Sequence, residues 1–179
     1  MRRAAEATRA GFAELAGLVA PGRTERELQV ALEAAFLRSG GDFLAFETIA
    51  AAGDHSAVLH FSPTHRALRA GDLLLVDAGA EYRGYASDVT RTYPVGGELD
   101  ARQRLVWETV RRAGEAAIAA CAPGVEWRDV HRTAALARGR GDVVWSRVDE
   151  LLGFGGVRIE QDVLVTDGGC EVLTAAIPL

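Results

Sequence analysis

Apolar residues recur at helical spacing from the start of the chain. Phe12, Leu15 and Val19 mark one face of an alanine-rich helix over residues 4–20, and Pro21-Gly22 stops it. Thr24 followed by Glu27 is a capping-box pattern: hydroxyl and carboxylate each satisfy a backbone N–H that the first helical turn leaves free. It opens a second helix with Leu28, Leu32 and Phe36 on one face, closed by Ser39-Gly40-Gly41. The period then changes. Residues 57–61 read as a short strand around His60, and 73–77 as a strand buried on both faces. Residues 81–84 form a turn, and 85–93 a return strand closed by Pro94. A long helix over about 101–121 starts at Asp100 with Gln103 three residues on. Its buried stripe is Leu105, Val106, Val110, Ala113 and Ala117. After Pro123-Gly124 another helix covers about 127–136. The pattern is poor between 138 and 156. A strand over 157–165 then turns at Asp167-Gly168-Gly169 into a last strand, 170–173.

A length of 179 residues fits one domain of ordinary size or a fragment of something larger. Alanine supplies 32 positions, so the core is built of small side chains. All 20 basic residues are Arg, which excludes a phosphate-binding P-loop lysine, a Schiff-base lysine and any lysine nucleophile. The sequence has no Asn either. With a net charge of −5 and no basic run longer than a pair, nucleic acid is not an expected partner. Cys121 and Cys170 lie far apart in no C-x-x-C arrangement, so neither a zinc knuckle nor a disulfide framework is expected. No run of eighteen apolar residues calls for a membrane, and the N-terminus lacks the apolar stretch of a signal peptide. A cytoplasmic protein in a reducing compartment is the expectation.

The carboxylates carry the candidate chemistry. If the turn centres on Tyr82-Arg83, Asp77 and Asp88 face each other across a hairpin with Cβ atoms roughly 5 Å apart. Like charges so placed repel and lose solvation, and a metal ion held by both relieves that. The alternative is a pair of solvated aspartates at strand ends. On the strand 157–165, Arg158, Glu160 and Asp162 share one face. Arg158 and Glu160 then form either a ligand carboxylate with the cation that orients it, or a solvated edge-strand ion pair. Of the four histidines, His60 is either a satisfied core histidine or a polar group facing a cavity. His65 reads as exposed, and His131 as structural.

Asp77-Ala78-Gly79 followed by Asp88-Val89-Thr90-Arg91-Thr92 resembles the D-x-G … D-x-T-R-T signature of the creatinase, aminopeptidase P and methionine aminopeptidase family, the pita-bread metallopeptidases of family M24. Residues 53–61 are similar to the G-x-N-x-x-x-L-H-Y segment of its Xaa-Pro aminopeptidase and prolidase branch, with His55 and Phe61 as departures. Residues 157–166 resemble that branch's R-I-E-D-D-V-L-V-T strand. The resemblance implies an α+β pita-bread fold, one curved antiparallel sheet with helices outside it. It implies two divalent metals, Mn2+ or a similar ion, held by two Asp, one His and two Glu. Asp77, Asp88 and Glu160 occupy three of those five positions. His60 would contact substrate, and Arg158 would hydrogen-bond behind the ligands. A metal-activated water would hydrolyse the bond of a peptide with proline at its second position. A homodimer is an admissible assembly, without nucleic acid or membrane.

The departures are as informative. The family's H-G-x-G-H and T-V-E-P-G motifs, which supply the ligand His, a second catalytic His and the remaining ligand Glu, are missing: no His follows His131 and no E-P-G occurs. The domain that precedes the catalytic domain in this branch is also expected to be missing. The reading is a single M24-like domain over 1–179, with a near-complete first half (1–137), a join where a long segment is absent (138–156) and a C-terminal hairpin (157–179). The expected function is a metal-dependent Xaa-Pro aminopeptidase or dipeptidase by ancestry, weakly active or inactive in this chain. A non-catalytic remnant or protein-binding module is the alternative, and a creatinase-like C–N hydrolase a further one.

Overall fold

The computed structural model describes residues 1–137 and 154–178, so most of the expected join at 138–156 lies outside the described residues. Helix α1 (Arg2–Ala16) packs against α2 (Glu25–Arg38), and Phe12 meets Phe36 with ring centroids 6.5 Å apart. The capping box of α2 forms: Glu27 N donates to Thr24 Oγ1 at 3.1 Å, and Thr24 N to Glu27 Oε2 at 2.8 Å. Both helices cover a sheet in which β3 (Leu73–Ala78) runs between β2 (Ile49–Ala52) and β6 (Val89–Pro94), all antiparallel. Strand β3 is buried on both faces, as its continuous apolar run predicts. Leu74, Val76 and Ala78 face the helices and join the main core with Leu28, Leu32 and Phe36. Leu75 faces the other way with Ile49, Ala51 and Phe61, and Asp77 follows Leu75 on that second face.

The single curved antiparallel sheet expected from the sequence does not form. Strands β1 (Phe43–Leu44), β4 (Ala80–Tyr82) and β5 (Tyr85–Ala86) make a second small sheet, and β7 (Val163–Thr166) with β8 (Gly169–Val172) a separate ribbon. The physical reason lies at Gly79. A Cβ there would stand 1.6 Å from the Ser87 carbonyl oxygen, so the two strands of the hairpin come too close for a regular ladder. Pairing stops at Ala78–Val89 and resumes at Glu81–Ala86 in the other sheet.

The turn also differs from the expected one. Arg83 and Gly84 both have positive φ, 52° and 80°, and form a two-residue loop between Tyr82 and Tyr85. The register therefore shifts by two residues, and Asp77 pairs with Thr90 rather than Asp88. Residues 57–61 are not a strand. A short 3-10 turn (Gly53–Ala57) leads into an irregular loop. Beyond β6, α3 (Ala101–Ala120) is capped by Asp100 and Gln103 as expected. Its stripe is largely uncovered: Ala113 is buried, Val106, Val110 and Ala117 are half-buried, and Leu105 is 66% exposed. Helix α4 (Trp127–Ala137) buries only Val130. Among the described residues no helix is long and apolar enough to cross a membrane.

Candidate metal centre

Asp77, Asp88 and Glu160 converge, each offering a carboxylate oxygen within 4.8 Å of the others. Three elements deliver them. Asp77 is the last residue but one of the doubly buried β3. Asp88 precedes Thr90, the β6 partner of Asp77, by two residues and so projects diagonally on the same face. Glu160 comes from a segment docked along β6: its N–H donates to the Thr90 carbonyl at 3.1 Å. The strand expected over 157–165 is regular only from Val163, because residues 157–162 bond to β6 mainly through side chains. Thr92 Oγ1 both donates to the Arg158 carbonyl at 2.9 Å and accepts from its N–H at 3.2 Å. The alternation still holds. Arg158, Glu160 and Asp162 face the aspartates, while Gln161 turns away to Arg91 and Thr174.

The electrostatics are those of crowded carboxylates. Asp77 is buried, and its pKa is pushed up to about 6, first by burial and then by the charge of Glu160. Arg158, whose Nη2 lies 3.1 Å from Asp77 Oδ2, pulls the other way and is outweighed. Asp88 is raised as well, by burial, Glu160 and Asp162. The other Asp77 oxygen, Oδ1, is buried with no hydrogen-bond partner among the described residues. An orphaned carboxylate oxygen beside two further carboxylates is a donor set suited to a hard divalent ion, and protonation is what relieves the crowding without one.

The aspartates open into a cavity of about 530 Å³, lined also by Phe46, Ile49, His60 and Phe61. His60 lies in the loop after the 3-10 turn and is exposed, not a core histidine. Arg158 braces this wall, donating to the Leu59 carbonyl at 3.4 Å. His65 and His131 are exposed, and neither joins the carboxylate group.

A sequence profile for metallopeptidase family M24 matches residues 1–141. The chain belongs to metallopeptidase family M24. Xaa-Pro aminopeptidase 2 of Streptomyces coelicolor is 38% identical over 138 residues, 75% of this chain and 29% of that protein. The Xaa-Pro aminopeptidase of Escherichia coli is 32% identical over 165 residues, 92% of this chain and 35% of that one. Pseudomonas aeruginosa aminopeptidase PepP superimposes with a TM-score of 0.91 at 30% identity, covering 99% of this chain and 55% of its own. For the prolidase of Pyrococcus furiosus the TM-score is 0.86 at 26% identity, over 97% and 62%. This M24 chain is thus α+β and pita-bread-like, and spans roughly a third of the curated relatives' length. Among the described residues, its carboxylate group lacks a histidine.

The residues that hold the carboxylates are not among the site residues expected from the sequence. Asp162 accepts from Ser87 Oγ at 2.6 Å and from the Asp88 N–H at 3.2 Å, fixing the approach to Asp88. Thr90 Oγ1 donates to Glu160. Arg91 is fully buried and donates to the carbonyls of Thr90, Glu160, Ile177 and Pro178 and to Gln161 Oε1. Asp162 shares the face of Glu160 and was visible by alternation. The reach of Arg91 across more than eighty residues leaves no local signal.

Proposed function

We propose that this chain derives from a metal-dependent aminopeptidase or dipeptidase acting at Xaa-Pro bonds, and that it retains half of the metal centre and little or no turnover. The convergence of Asp77, Asp88 and Glu160 around an orphaned Asp77 oxygen carries the proposal. These three residues would hold one Mn2+-like ion, with water completing its shell. Such an ion, when bound, polarises a peptide carbonyl as a Lewis acid.

The chain's own residues prepare the rest. Arg158 occupies Asp77 Oδ2 and leaves Oδ1 free. Thr90 fixes the Glu160 carboxylate, and Asp162 with Ser87 fixes the backbone at Asp88. Ile49, Phe46 and Phe61 give the cavity an apolar wall for a proline ring, and His60 presents a donor to a developing oxyanion. The resemblance assigns the ligand His, the second catalytic His and one ligand Glu to motifs this sequence does not contain. Loss of one such oxyanion donor costs about 10²–10³ in rate where it has been measured. Residues 138–156 are then the place where a longer segment has been lost. The incomplete donor set equally supports a second reading, a non-catalytic M24 module.

Titration with Mn2+ by calorimetry tests the site. One weak site is expected, removed by Asp88→Ala or Glu160→Gln and retained in His131→Ala. Binding unchanged by both carboxylate substitutions contradicts the assignment.

A further inference from the structure

Cys121 and Cys170, 49 positions apart, meet at the end of α3. Cys121 follows the last residue of α3, and its thiol lies 3.4 Å from the Ala117 carbonyl oxygen. The thiol of Cys170, on β8, lies 3.2 Å from the neighbouring carbonyl of Ile118. That same Ile118 oxygen accepts the Cys121 N–H at 3.0 Å, so the two cysteines share one carbonyl. Both are free and half-buried, and Cys121 lines an apolar cavity of about 290 Å³ with Ile118, Trp127, Val130 and Ile159. Burial, with Cys170 nearby, holds the Cys121 thiol above its ordinary range.

We propose that Cys121 and Cys170 form a reversible dithiol–disulfide site that fastens the C-terminal ribbon to α3. The ribbon is continuous with the metal centre: Leu173 N donates to the Asp162 carbonyl at 2.9 Å, and Asp162 N to Thr174 Oγ1 at 3.0 Å. A bond at Cys170 therefore steadies the stretch that carries Glu160 and Asp162.

The oxidant is a low-molecular-weight disulfide such as oxidised glutathione. One cysteine thiolate attacks its S–S bond, forming a mixed disulfide and expelling one glutathione thiolate. The second cysteine thiolate attacks the protein sulfur of that mixed disulfide, forming the Cys121–Cys170 bond and expelling the other. The two protons lost by the protein thiols end on two molecules of reduced glutathione, which carry the two electrons.

The full chain is incubated with oxidised glutathione, quenched in acid and digested with trypsin. Cleavage after Arg112, Arg128 and Arg158 places the cysteines in peptides 113–128 and 159–179. A linked pair of these peptides is expected from monomeric protein, absent from Cys170→Ser. Its effective concentration should be at least about tenfold higher in folded protein than in urea, since folding holds the thiols together. Hydrogen exchange at the Glu160 amide should slow in the oxidised protein and not in Cys170→Ser treated alike. Free thiols, separate glutathione adducts, cross-links only between molecules, or equal linkage in urea would overturn the pairing. Unchanged exchange at Glu160 would overturn the fastening. Neither readout depends on metal or peptide.

Discussion

Helices α2 and α3 begin alike. Each opens on a capping box, Thr24 with Glu27 and Asp100 with Gln103, and each carries an apolar stripe. They end up in different surroundings. Helix α2 buries Leu28, Leu32, Ala35 and Phe36 among its 14 residues, while α3 buries only Gln103 and Ala113 among its 20. The same contrast runs through the described residues. Apart from Ile177, the main core belongs to residues 7–95, whereas α4 leaves Trp127 81% exposed. Capping and periodicity decide that a helix forms, and what folds against it decides what it stabilises. Among the described residues of a chain that matches just over half the length of PepP, the early helices and strands are well covered and the later helices are not.

The largest effect should come from the packed half. Phe36→Ala removes a fully buried ring from the α1–α2 contact, and a loss of about 3–5 kcal/mol is expected by denaturant unfolding. A loss under about 1 kcal/mol would erase the contrast between the halves.

Next comes Asp77, at the edge of that half. Its folded pKa of about 6 lies above the ordinary 3.8, so the folded state holds the proton more tightly than the unfolded chain. Without metal, the Asp77 contribution to stability is therefore fully present below about 4 and is lost as pH rises through about 6, by about 3 kcal/mol from a shift of this size. Asp77→Asn should flatten that part of the pH profile, and added Mn2+ should restore stability above pH 6. A wild-type profile that rises across this window would reverse the sign.

Arg91 ties the halves together, from β6 to the Glu160 segment and to Ile177 and Pro178. Arg91→Ala removes the guanidinium that the carbonyls of Glu160, Ile177 and Pro178 share and should cost about 2–3 kcal/mol, with faster hydrogen exchange at Glu160. The smallest effect belongs to α3: Leu105→Ala should change stability by less than about 0.5 kcal/mol. A loss as large as that of Phe36→Ala would show that α3 is covered after all.

What the sequence made legible was local. The caps of α2 and α3, the doubly buried β3 and the shared face of Arg158, Glu160 and Asp162 are set by neighbours a few residues away. The misreadings involve distant partners or unusual backbone. Arg83, a non-glycine residue at φ 52°, moved the turn by one position and the register by two. Residues 57–61 have strand-like letters, yet the loop is organised by Glu25. This acidic residue reads as an ordinary first-turn helix residue, but its carboxylate is fully buried. It accepts from Ala52 N at 2.9 Å and Thr64 N at 3.1 Å, and meets His55 Nδ1 at 2.8 Å. Nothing within a helical turn of Glu25 announces those partners.

Three carboxylates without the missing histidines and glutamate should make only half a metal centre. Assaying a Xaa-Pro peptide during a Mn2+ titration of the purified chain tests it most directly. At most one weakly bound ion and no metal-dependent cleavage are predicted. Two tight sites, or turnover that depends on Mn2+ and disappears in Asp88→Ala, would contradict it.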